Sequence, residues 1–281
     1  NSSAYAGSTN AVFNADIDYN VYFSTEPTTT IFQASRDLLS WQIDRQKDYR
    51  SAITNPLLNN VESGDFGLRS AQGRFATNGV WVIDSESSWA IDRGNPAYDY
   101  SRETTFNGGR VNIGAFGNTP FASRSSTNKV LETRTLNSAT TIDDNSLTNL
   151  LPLVWGSINQ PTGMMVNVEF SGDGGQTWTN IATGLDVYDE YFVFQFTPNF
   201  NTYKGYWRVI GQDGTNTVVA TNQIASTVFF GTFRISQIFK SPPNNRNNIV
   251  WRGAWAEYYQ VQQSDNGLIW SNSVSGPSTN Q

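Results

Sequence analysis

Several acidic side chains and one arginine could carry out general acid–base chemistry in this chain. Two carboxyl groups about 5 Å apart, or about 6.5–9.5 Å apart, can hydrolyse a glycosidic bond. Turn chemistry explains these residues more simply, because short polar side chains bond backbone amides beside Gly and Asn. We therefore predict no catalytic residue within this chain. The candidates considered are Asp16, Asp18, Asp44, Asp48, Asp92, Asp99, Glu103 and Arg110, of which the last two are predicted to pair.

Two further acidic clusters, and the turn around Asp173, have oxygen atoms that calcium could use. Calcium needs six to eight oxygen ligands, and neither cluster follows the EF-hand pattern. We interpret both clusters as solvated loops and therefore predict no metal or cofactor. Ca²⁺ is the ion that such clusters would bind. The clusters are Asp143, Asp144 and Asn145, and then Asp186, Asp189 and Glu190.

The composition excludes several kinds of chemistry and of partner. The 281 residues include no cysteine and no histidine, which rules out disulfides, thiolate-bound metals and histidine-based triads. A net charge of −6 argues against nucleic acid and anionic lipid as partners. No apolar run reaches the length of a membrane span. The abundance of Asn, Thr and Ser is typical of an exported, β-rich surface protein.

An eight-residue motif in the middle of the chain predicts a β-hairpin. The stretch SGDGGQTW matches the Asp-box pattern S-x-D-x-G-x-T-W at Ser171, Asp173, Gly175, Thr177 and Trp178. We expect Asp173 to accept hydrogen bonds from turn amides, Gly175 to adopt a positive φ and Trp178 to be mostly buried. A degraded copy of the motif, QSDNGLIW, lies at 263–270.

The elements that would position these residues are mostly short strands. One helix is predicted at 36–44, with Ser35 as its N-cap. Alternating apolar residues after residue 128 predict half-buried antiparallel strands, and about seven of them in about 110 residues indicate a β-sandwich. They are expected at 130–136, 151–157, 164–171, 177–183, 191–198, 205–212 and 227–235.

A glycine-rich stretch, NGGRVNIGAFGNTPFAS at 107–123, precedes these strands. Its glycines permit a tight crossing, a bulge or a positive φ, and RVNIGAF between them is predicted to be a last paired strand. Pro120 then ends the pairing, so we interpret the stretch as the exit from a first β-domain. The residues assigned to this exit are Gly108, Gly109, Arg110, Gly114 and Gly117.

The order of motifs in the first segment resembles the C-terminal coils of a bacterial right-handed parallel β-helix. The motifs are DIDYNVYF at 16–23, DLLSWQIDRQKDYRSAITNPLL at 37–58, AIDRGNP at 90–96 and the exit stretch. Polysaccharide lyases and surface proteins contain such helices. The resemblance implies that 1–123 is the end of a parallel β-helix.

The two Asp-box motifs each follow a strand, and Asp173 and Asp265 are 265 − 173 = 92 residues apart, the size of an immunoglobulin-like module. This part of the chain therefore resembles tandem immunoglobulin- or fibronectin-like repeats. The resemblance implies one complete immunoglobulin-like sandwich at 128–237 and a partial second module at 238–281. The predicted architecture is therefore all-β, and it consists of the end of a parallel β-helix followed by one and a half sandwiches.

This architecture favours a structural role at the cell surface or outside the cell, in a surface layer, filament or adhesin. One alternative is the non-catalytic C-terminal part of a carbohydrate-active β-helix enzyme such as a polysaccharide lyase. A second is a carbohydrate-binding module, in which polysaccharide would stack on exposed aromatic rings. The aromatic candidates are Trp251, Trp255, Tyr258 and Tyr259.

Both ends of the predicted architecture are incomplete, because a solenoid coil and a half sandwich each leave an open edge. We expect residues 1–30 and 238–281 to contact further segments of a longer chain or neighbouring copies in a repeating assembly.

Overall fold

The computed structural model shows a chain built from β-strands and a single described α-helix, which confirms the all-β class. We refer to 15–127 as the N-terminal region and to 128–229 as the sandwich region. The described residues are 15–24, 37–137, 141–143 and 150–229, together with the strands at 234–241, 246–252, 258–263 and 271–277.

The N-terminal region consists of short elements joined by turns. In chain order they are β1 (Val21–Tyr22), α1 (Leu38–Arg45), β2 (Ala52–Ile53), β3 (Leu58–Asn60), β4 (Asp65–Leu68), β5 (Arg74–Phe75) and β6 (Trp81–Val82). β1 and β2 pair in parallel over two residue pairs, whereas β3–β4 and β5–β6 are antiparallel hairpins. The described residues therefore do not show the parallel β-helix expected for this region.

Turn residues explain why the two hairpins form. The backbone bends back at Gly64, with φ +76°, and at Gly79, with φ +85°. Gly79 N donates to the Ala76 carbonyl at 2.9 Å, and Ala76 N donates to the Val80 carbonyl at 2.8 Å. Glycine adopts this conformation without a Cβ clash, so each site favours an antiparallel return of the chain.

Helix α1 begins two residues later than expected. Asp37 is the N-cap, because its Oδ1 accepts a hydrogen bond from Ser40 N at 2.7 Å. The predicted Ser35 cap is wrong, and Ser35 itself lies outside the described residues. The fully buried Trp41 faces the N-terminal region. Leu39 and Ile43 pack against the core of the sandwich region, so α1 contacts both regions.

The described part of the sandwich region contains nine strands in two sheets. The strands are β7 (Val130–Thr133), β8 (Thr141–Asp143), β9 (Leu150–Ile158), β10 (Met165–Ser171), β11 (Thr179–Asp186), β12 (Tyr191–Gln195), β13 (Thr202–Asp213), β14 (Asn216–Thr221) and β15 (Ser226–Phe229). One sheet has the order β12-β9-β7. The other has the order β11-β10-β13-β15-β8, and β14 pairs with β13. Pairing is antiparallel except between β15 and β8.

A shared apolar core lies between the two sheets. β9 contributes Leu153 and Trp155, and β13 contributes Trp207 and Val209, all of which are buried. Phe196 is fully buried, whereas Phe192 and Phe194 are half-buried against the same core. The two sheets therefore face each other in a sandwich-like arrangement, as expected from the alternating pattern.

Each predicted strand of the sandwich region overlaps an observed one, but two short strands were not predicted. These are β8 and β14, which lie at an edge of the larger sheet and off its main path. The last predicted strand, 227–235, corresponds to β15 and to the start of a further strand.

Four further strands follow, namely β16 (Arg234–Ser241), β17 (Arg246–Arg252), β18 (Tyr258–Gln263) and β19 (Ser271–Pro277). They form two antiparallel pairs, β16–β17 and β18–β19. β16 includes residue 238, at which the sequence predicts the partial second module to begin. Gln263, the first residue of the degraded Asp-box, pairs with Ser271, and residues 264–270 of that motif lie outside the described part.

Candidate functional site

The glycine-rich exit stretch at 107–123 forms successive turns and not the paired strand that its sequence predicts. Two of its residues still form backbone hydrogen bonds with the preceding segment. Gly94 N donates to the Val111 carbonyl at 2.9 Å, and Ile113 N donates to the Ala90 carbonyl at 2.9 Å. Val111 is buried and Ile113 is half-buried.

The glycines of the exit stretch explain why no ladder forms. The backbone φ is +59° at Gly108, +70° at Gly109 and +135° at Gly114, which interrupts an extended strand. Gly117 is needed for a different reason, because a Cβ there would overlap the Asn112 carbonyl oxygen. A positive φ is therefore confirmed at Gly114, whereas Gly117 allows a close backbone approach.

The Asp92 side chain is buried beneath the exit stretch. Its Oδ2 occupies the place where a Cβ on Gly108 would lie, and neither carboxylate oxygen has a hydrogen-bond partner among the described residues. The nearby Ser125 hydroxyl donates its proton to the Phe106 carbonyl at 2.7 Å. Burial is the main cause that raises the pKa of Asp92 to about 8. A neutral, enclosed acid of this kind does not face solvent or substrate.

Arg110 joins the exit stretch to the sandwich region. Its Nη1 and Nη2 donate to Oε1 and Oε2 of Glu190 at 2.9 and 2.8 Å, and the two side chains are 2% and 1% exposed. Burial opposes ionisation of Glu190, but the hydrogen bonds and charge of Arg110 outweigh it and lower the pKa of Glu190. Ser157 N also donates to Glu190 Oε1 at 2.9 Å. The pair is therefore an enclosed, charged connection between the two regions.

The predicted pairing of Arg110 with Glu103 is wrong. Glu103 Oε1 accepts hydrogen bonds from Asn112 N at 3.0 Å and from Asn118 N at 2.8 Å, so this carboxylate braces the exit turns. Glu103 could not satisfy Arg110 as well as Glu190 does, because Glu190 presents both oxygens to the guanidinium.

Two more arginines cross the same junction. Arg93 Nη2 donates to Glu132 Oε1 at 2.8 Å, and Arg134 Nη2 donates to the Ser51 carbonyl at 3.0 Å. Both guanidinium groups lie over the ring of Trp89, at 5.2 and 4.5 Å from its centroid. The junction is thus a layer of arginines, acids and aromatic rings.

Asp48, a candidate general acid or base, is instead the centre of a buried hydrogen-bond network. Its Oδ1 accepts from Asn20 Nδ2 at 2.9 Å and from the Ser51 hydroxyl at 2.5 Å. Its Oδ2 accepts from the Tyr22 hydroxyl at 3.0 Å and from Trp41 Nε1 at 2.8 Å. This side chain therefore ties β1 to helix α1 and to the turn before β2.

The remaining acidic candidates lie in turns or at the surface. Asp18 pairs with Arg50, whose Nη1 donates to Oδ2 at 2.8 Å. Asp99 is exposed and accepts from Ser101 N at 2.9 Å. Asp16 and Asp44 are both exposed. The structure therefore does not gather the eight candidates into one catalytic centre.

The Asp-box forms the predicted hairpin turn between β10 and β11. Asp173 Oδ1 accepts from Gln176 N and Thr177 N at 2.9 Å, and Gly175 has φ +87°. The Thr177 hydroxyl is the main cause that lowers the pKa of Asp173, and it donates to Oδ2 at 2.6 Å. The Ser171 hydroxyl donates to Oδ1 at 2.7 Å. The structural interpretation of Asp173 is confirmed.

Trp178 is half-buried, less than we expected. Its Nε1 donates to the Gly175 carbonyl at 3.0 Å, so the ring lies against the turn. The Arg208 guanidinium covers the other side at 4.1 Å from the ring centroid, and its Nε donates to Glu169 Oε2 at 2.6 Å. The ring thus lies on the outer face of the sheet and not in the core.

The acids considered for calcium binding have other partners where the structure describes them. Asp186 Oδ1 accepts from Tyr188 N at 2.9 Å, and Asp189 Oδ2 accepts from Asp186 N at 3.2 Å, which together cap a short 3₁₀ turn. Within the described residues, no group of three or more acids could hold a metal ion. Asp144 and Asn145 lie outside the described residues, as does the side chain of Asp143.

Two grooves share part of their lining, and only the larger lies where the two regions meet, because residues of the N-terminal region alone line the smaller one. One has a volume of about 650 Å³ and the other about 530 Å³, sizes typical of small-molecule sites. Asp18, Tyr19, Asn95 and Tyr98 line both. We call the combined surface the junction groove. The side chains of the aromatic candidates in the last segment, Trp251, Trp255, Tyr258 and Tyr259, lie outside the described residues.

Sequence reasoning missed Glu190, Trp89, Arg134 and the junction groove. The only local signal for Glu190 was its inclusion in an acidic cluster, and that cluster was interpreted as a solvated loop. Its partner lies 80 residues away in the sequence, so only the docking of the two regions reveals the pair.

No protein-family model and no curated protein matches this chain. A solved structure of an engineered protein is similar to it with a TM-score of 0.26 and 12% identity, over 38% of this chain. The similarity spans 22% of the engineered protein's own length. In the described part of the chain, no helix is long and apolar enough to cross a lipid bilayer.

Proposed function

We propose that this chain is a structural component of an extracellular or cell-surface assembly, such as a surface layer, a filament or an adhesin. The observation that carries the proposal is the buried Arg110–Glu190 pair, with hydrogen bonds of 2.9 and 2.8 Å between the two regions. A bidentate pair fixes orientation as well as distance. Two β-rich regions joined in this way keep a fixed relative orientation. A spacer or a lattice unit requires this rigidity.

We also propose the finer architecture that the sequence motifs imply. In it, the N-terminal region is the end of a right-handed parallel β-helix, and the sandwich region is immunoglobulin-like, with a partial second module after it. The parallel pairing of Val21 with Ala52 supports the first part. The facing sheets and the Asp-box hairpin support the second. Further segments of a longer chain, or neighbouring copies, would then complete the assembly.

The experiment that tests this role locates the natural protein and measures its size. Antibodies against the chain would be used for immunogold labelling of the producing cells, and native material would be sedimented. We expect label at the cell surface or outside the cell, on material much larger than a 281-residue monomer. A cytoplasmic monomer would contradict the proposal. A secreted monomer with polysaccharide-cleaving activity would favour the enzyme alternative.

A further inference from the structure

The junction groove combines segments that are far apart in the sequence. The larger groove is lined by Asp16, Asp18, Tyr19 and Arg50, by the loop at 95–98, and, from the sandwich region, by Thr162, Gly163 and the turn at 186–189. The smaller groove continues from Tyr98 to Asn118 in the exit stretch. Because the larger groove includes parts of both regions, it is complete only when they are docked.

Two tyrosines mark the middle of the junction groove. Tyr98 is 66% exposed and lies on a turn in which Tyr98 N donates to the Asn95 carbonyl at 3.0 Å. The exposed ring of a large amphipathic residue in a groove is a ready contact surface for a ligand. Asn95 Oδ1 accepts from Ala97 N at 2.9 Å, which further fixes this loop.

Tyr19 is held in place by the same interactions that join the two regions. The Arg50 and Arg110 guanidinium groups lie 5.2 and 5.6 Å from its ring centroid. Its backbone has the left-handed φ of +57°, which a bulky residue adopts only when its surroundings impose it. Burial is the main cause that raises the pKa of Tyr19 to about 12, so its hydroxyl stays protonated. The aromatic surface is therefore preorganised.

The charges that line the larger groove restrict the ligand. The ionised side chains are Asp16, Asp18, Asp186, Asp189 and Arg50. Four carboxylates against one guanidinium repel uronates, sulfated sugars and nucleic acid. Asp18 already pairs with Arg50, and Asp186 Oδ1 and Asp189 Oδ2 already accept backbone hydrogen bonds. Each carboxylate oxygen, however, has two lone pairs and can accept a further hydrogen bond from a hydroxyl group. The lining thus suits a ligand that is uncharged and rich in hydroxyl groups.

We propose that the junction groove binds a neutral polysaccharide, with a sugar ring on Tyr98 and hydroxyl groups directed to the surrounding carboxylates. A basic peptide fits less well, because turns and loops line the groove and no described strand edge there can pair with an extended chain. The inference rests on this geometry alone, and it holds whether or not the structural role is correct.

Native affinity electrophoresis of the 281-residue chain in gels containing a neutral polysaccharide provides the test. The probes are β-glucan, xylan, mannan and dextran, with polygalacturonate as the acidic comparator and a lysine-rich peptide as a soluble competitor. We expect retardation by at least one neutral probe, none by polygalacturonate, and no competition by the peptide.

Three variants test whether the polysaccharide binds in the junction groove. Tyr98→Ala is expected to weaken retention about tenfold, as truncation of a central aromatic contact does. Tyr98→Phe keeps the ring and should bind as the unmodified chain does. Phe66→Ala is the matched control, because Phe66 is 43% exposed and does not line the groove. Unchanged melting temperatures would show that all three variants fold.

Several results would overturn the proposal. These are no retardation by any neutral probe, equal retardation by polygalacturonate, or full retention by a folded Tyr98→Ala variant. Displacement by the lysine-rich peptide would replace the polysaccharide with a basic peptide as the ligand. Failure of this inference would leave the cell-surface role untouched, since that role is tested by location and size.

Discussion

Fourteen buried apolar residues form one core in the sandwich region, whereas the described N-terminal region divides five between two small clusters. The N-terminal region instead buries charged side chains. Asp48 accepts four hydrogen bonds, and Arg74 lies 5% exposed between Asp65 and Asp84. One region is held chiefly by apolar packing and the other by paired polar groups. The sandwich region should therefore be destabilised most by the loss of buried apolar side chains, and the N-terminal region by the loss of buried polar partners.

The largest expected effect is at the pair that joins the two regions. Arg110→Met leaves Glu190 buried without its partner, so the free energy of unfolding should fall by about 3–5 kcal/mol. The double variant Arg110→Met/Glu190→Leu should recover much of this loss, because no unpaired charge remains. Urea denaturation of the single and double variants would measure both.

The control for the ion pair is Arg69→Met, which removes a half-exposed pair with Glu86. Its effect should stay within about 1 kcal/mol. If Arg110→Met were as mild as Arg69→Met, the two regions would not depend on this pair.

The next effect tests the apolar side of the comparison. Leu153 is fully buried between the sheets, so Leu153→Ala should lower the free energy of unfolding by about 3 kcal/mol through lost contacts and a cavity. Met165→Ala on the same sandwich region is the control, since Met165 is 51% exposed and should have little effect. Equal effects of the two variants in urea denaturation would contradict a packed core.

Asp48→Asn tests the polar side. The amide nitrogen replaces an oxygen that accepts hydrogen bonds, so buried donors lose their partner at a cost of about 1–3 kcal/mol. Hydrogen exchange should quicken in 37–53 and stay slow in the core strands β9 and β13. Asp16→Asn, at an exposed position, should leave exchange unchanged. Faster exchange across the whole chain would mean that the two regions unfold together.

Asp92 makes the stability of the N-terminal region depend on pH. Burial raises its pKa to about 8, so between about pH 4 and pH 8 the folded state binds more protons than the unfolded chain. Stability should therefore fall as the pH rises through this interval. The asparagine in Asp92→Asn stays neutral at every pH. The melting temperature of this variant, relative to that of the unmodified chain, should therefore rise from pH 5 to pH 8. A constant difference between the two would show that Asp92 titrates normally.

The smallest effect is expected at the Asp-box, because its turn is exposed. Asp173→Ala should lower the melting temperature at neutral pH, since turn amides lose their acceptor. The pKa of Asp173 is lowered, chiefly by the Thr177 hydroxyl, so this stabilisation should disappear as the pH falls below the ordinary Asp range. Scanning calorimetry at pH 7 and at acid pH would measure the difference. Identical melting at pH 7 would sink the structural interpretation of the motif.

Local chemistry decided what could be predicted from the sequence. Alternating apolar residues predicted the strands of the sandwich region, because period-two patterning follows directly from strand geometry. The Asp-box turn was predictable for a similar reason, since Ser171, Asp173 and Thr177 satisfy one another within seven residues. Glycine type also indicated that Gly114 permits a bulge or a positive φ, and the structure has the positive φ there, because few other residues tolerate it.

Only the tertiary structure decided which distant groups meet. The sequence offered Glu103 as the partner of Arg110 because it is close in the chain, but the docked sandwich region supplies Glu190 instead. The same docking brings Tyr19, Tyr98 and the turn at 186–189 to one groove. Local propensities act between residues that are close in the sequence. Burial and charge pairing act between groups that are close in space. Only the folded chain determines which distant residues are close in space.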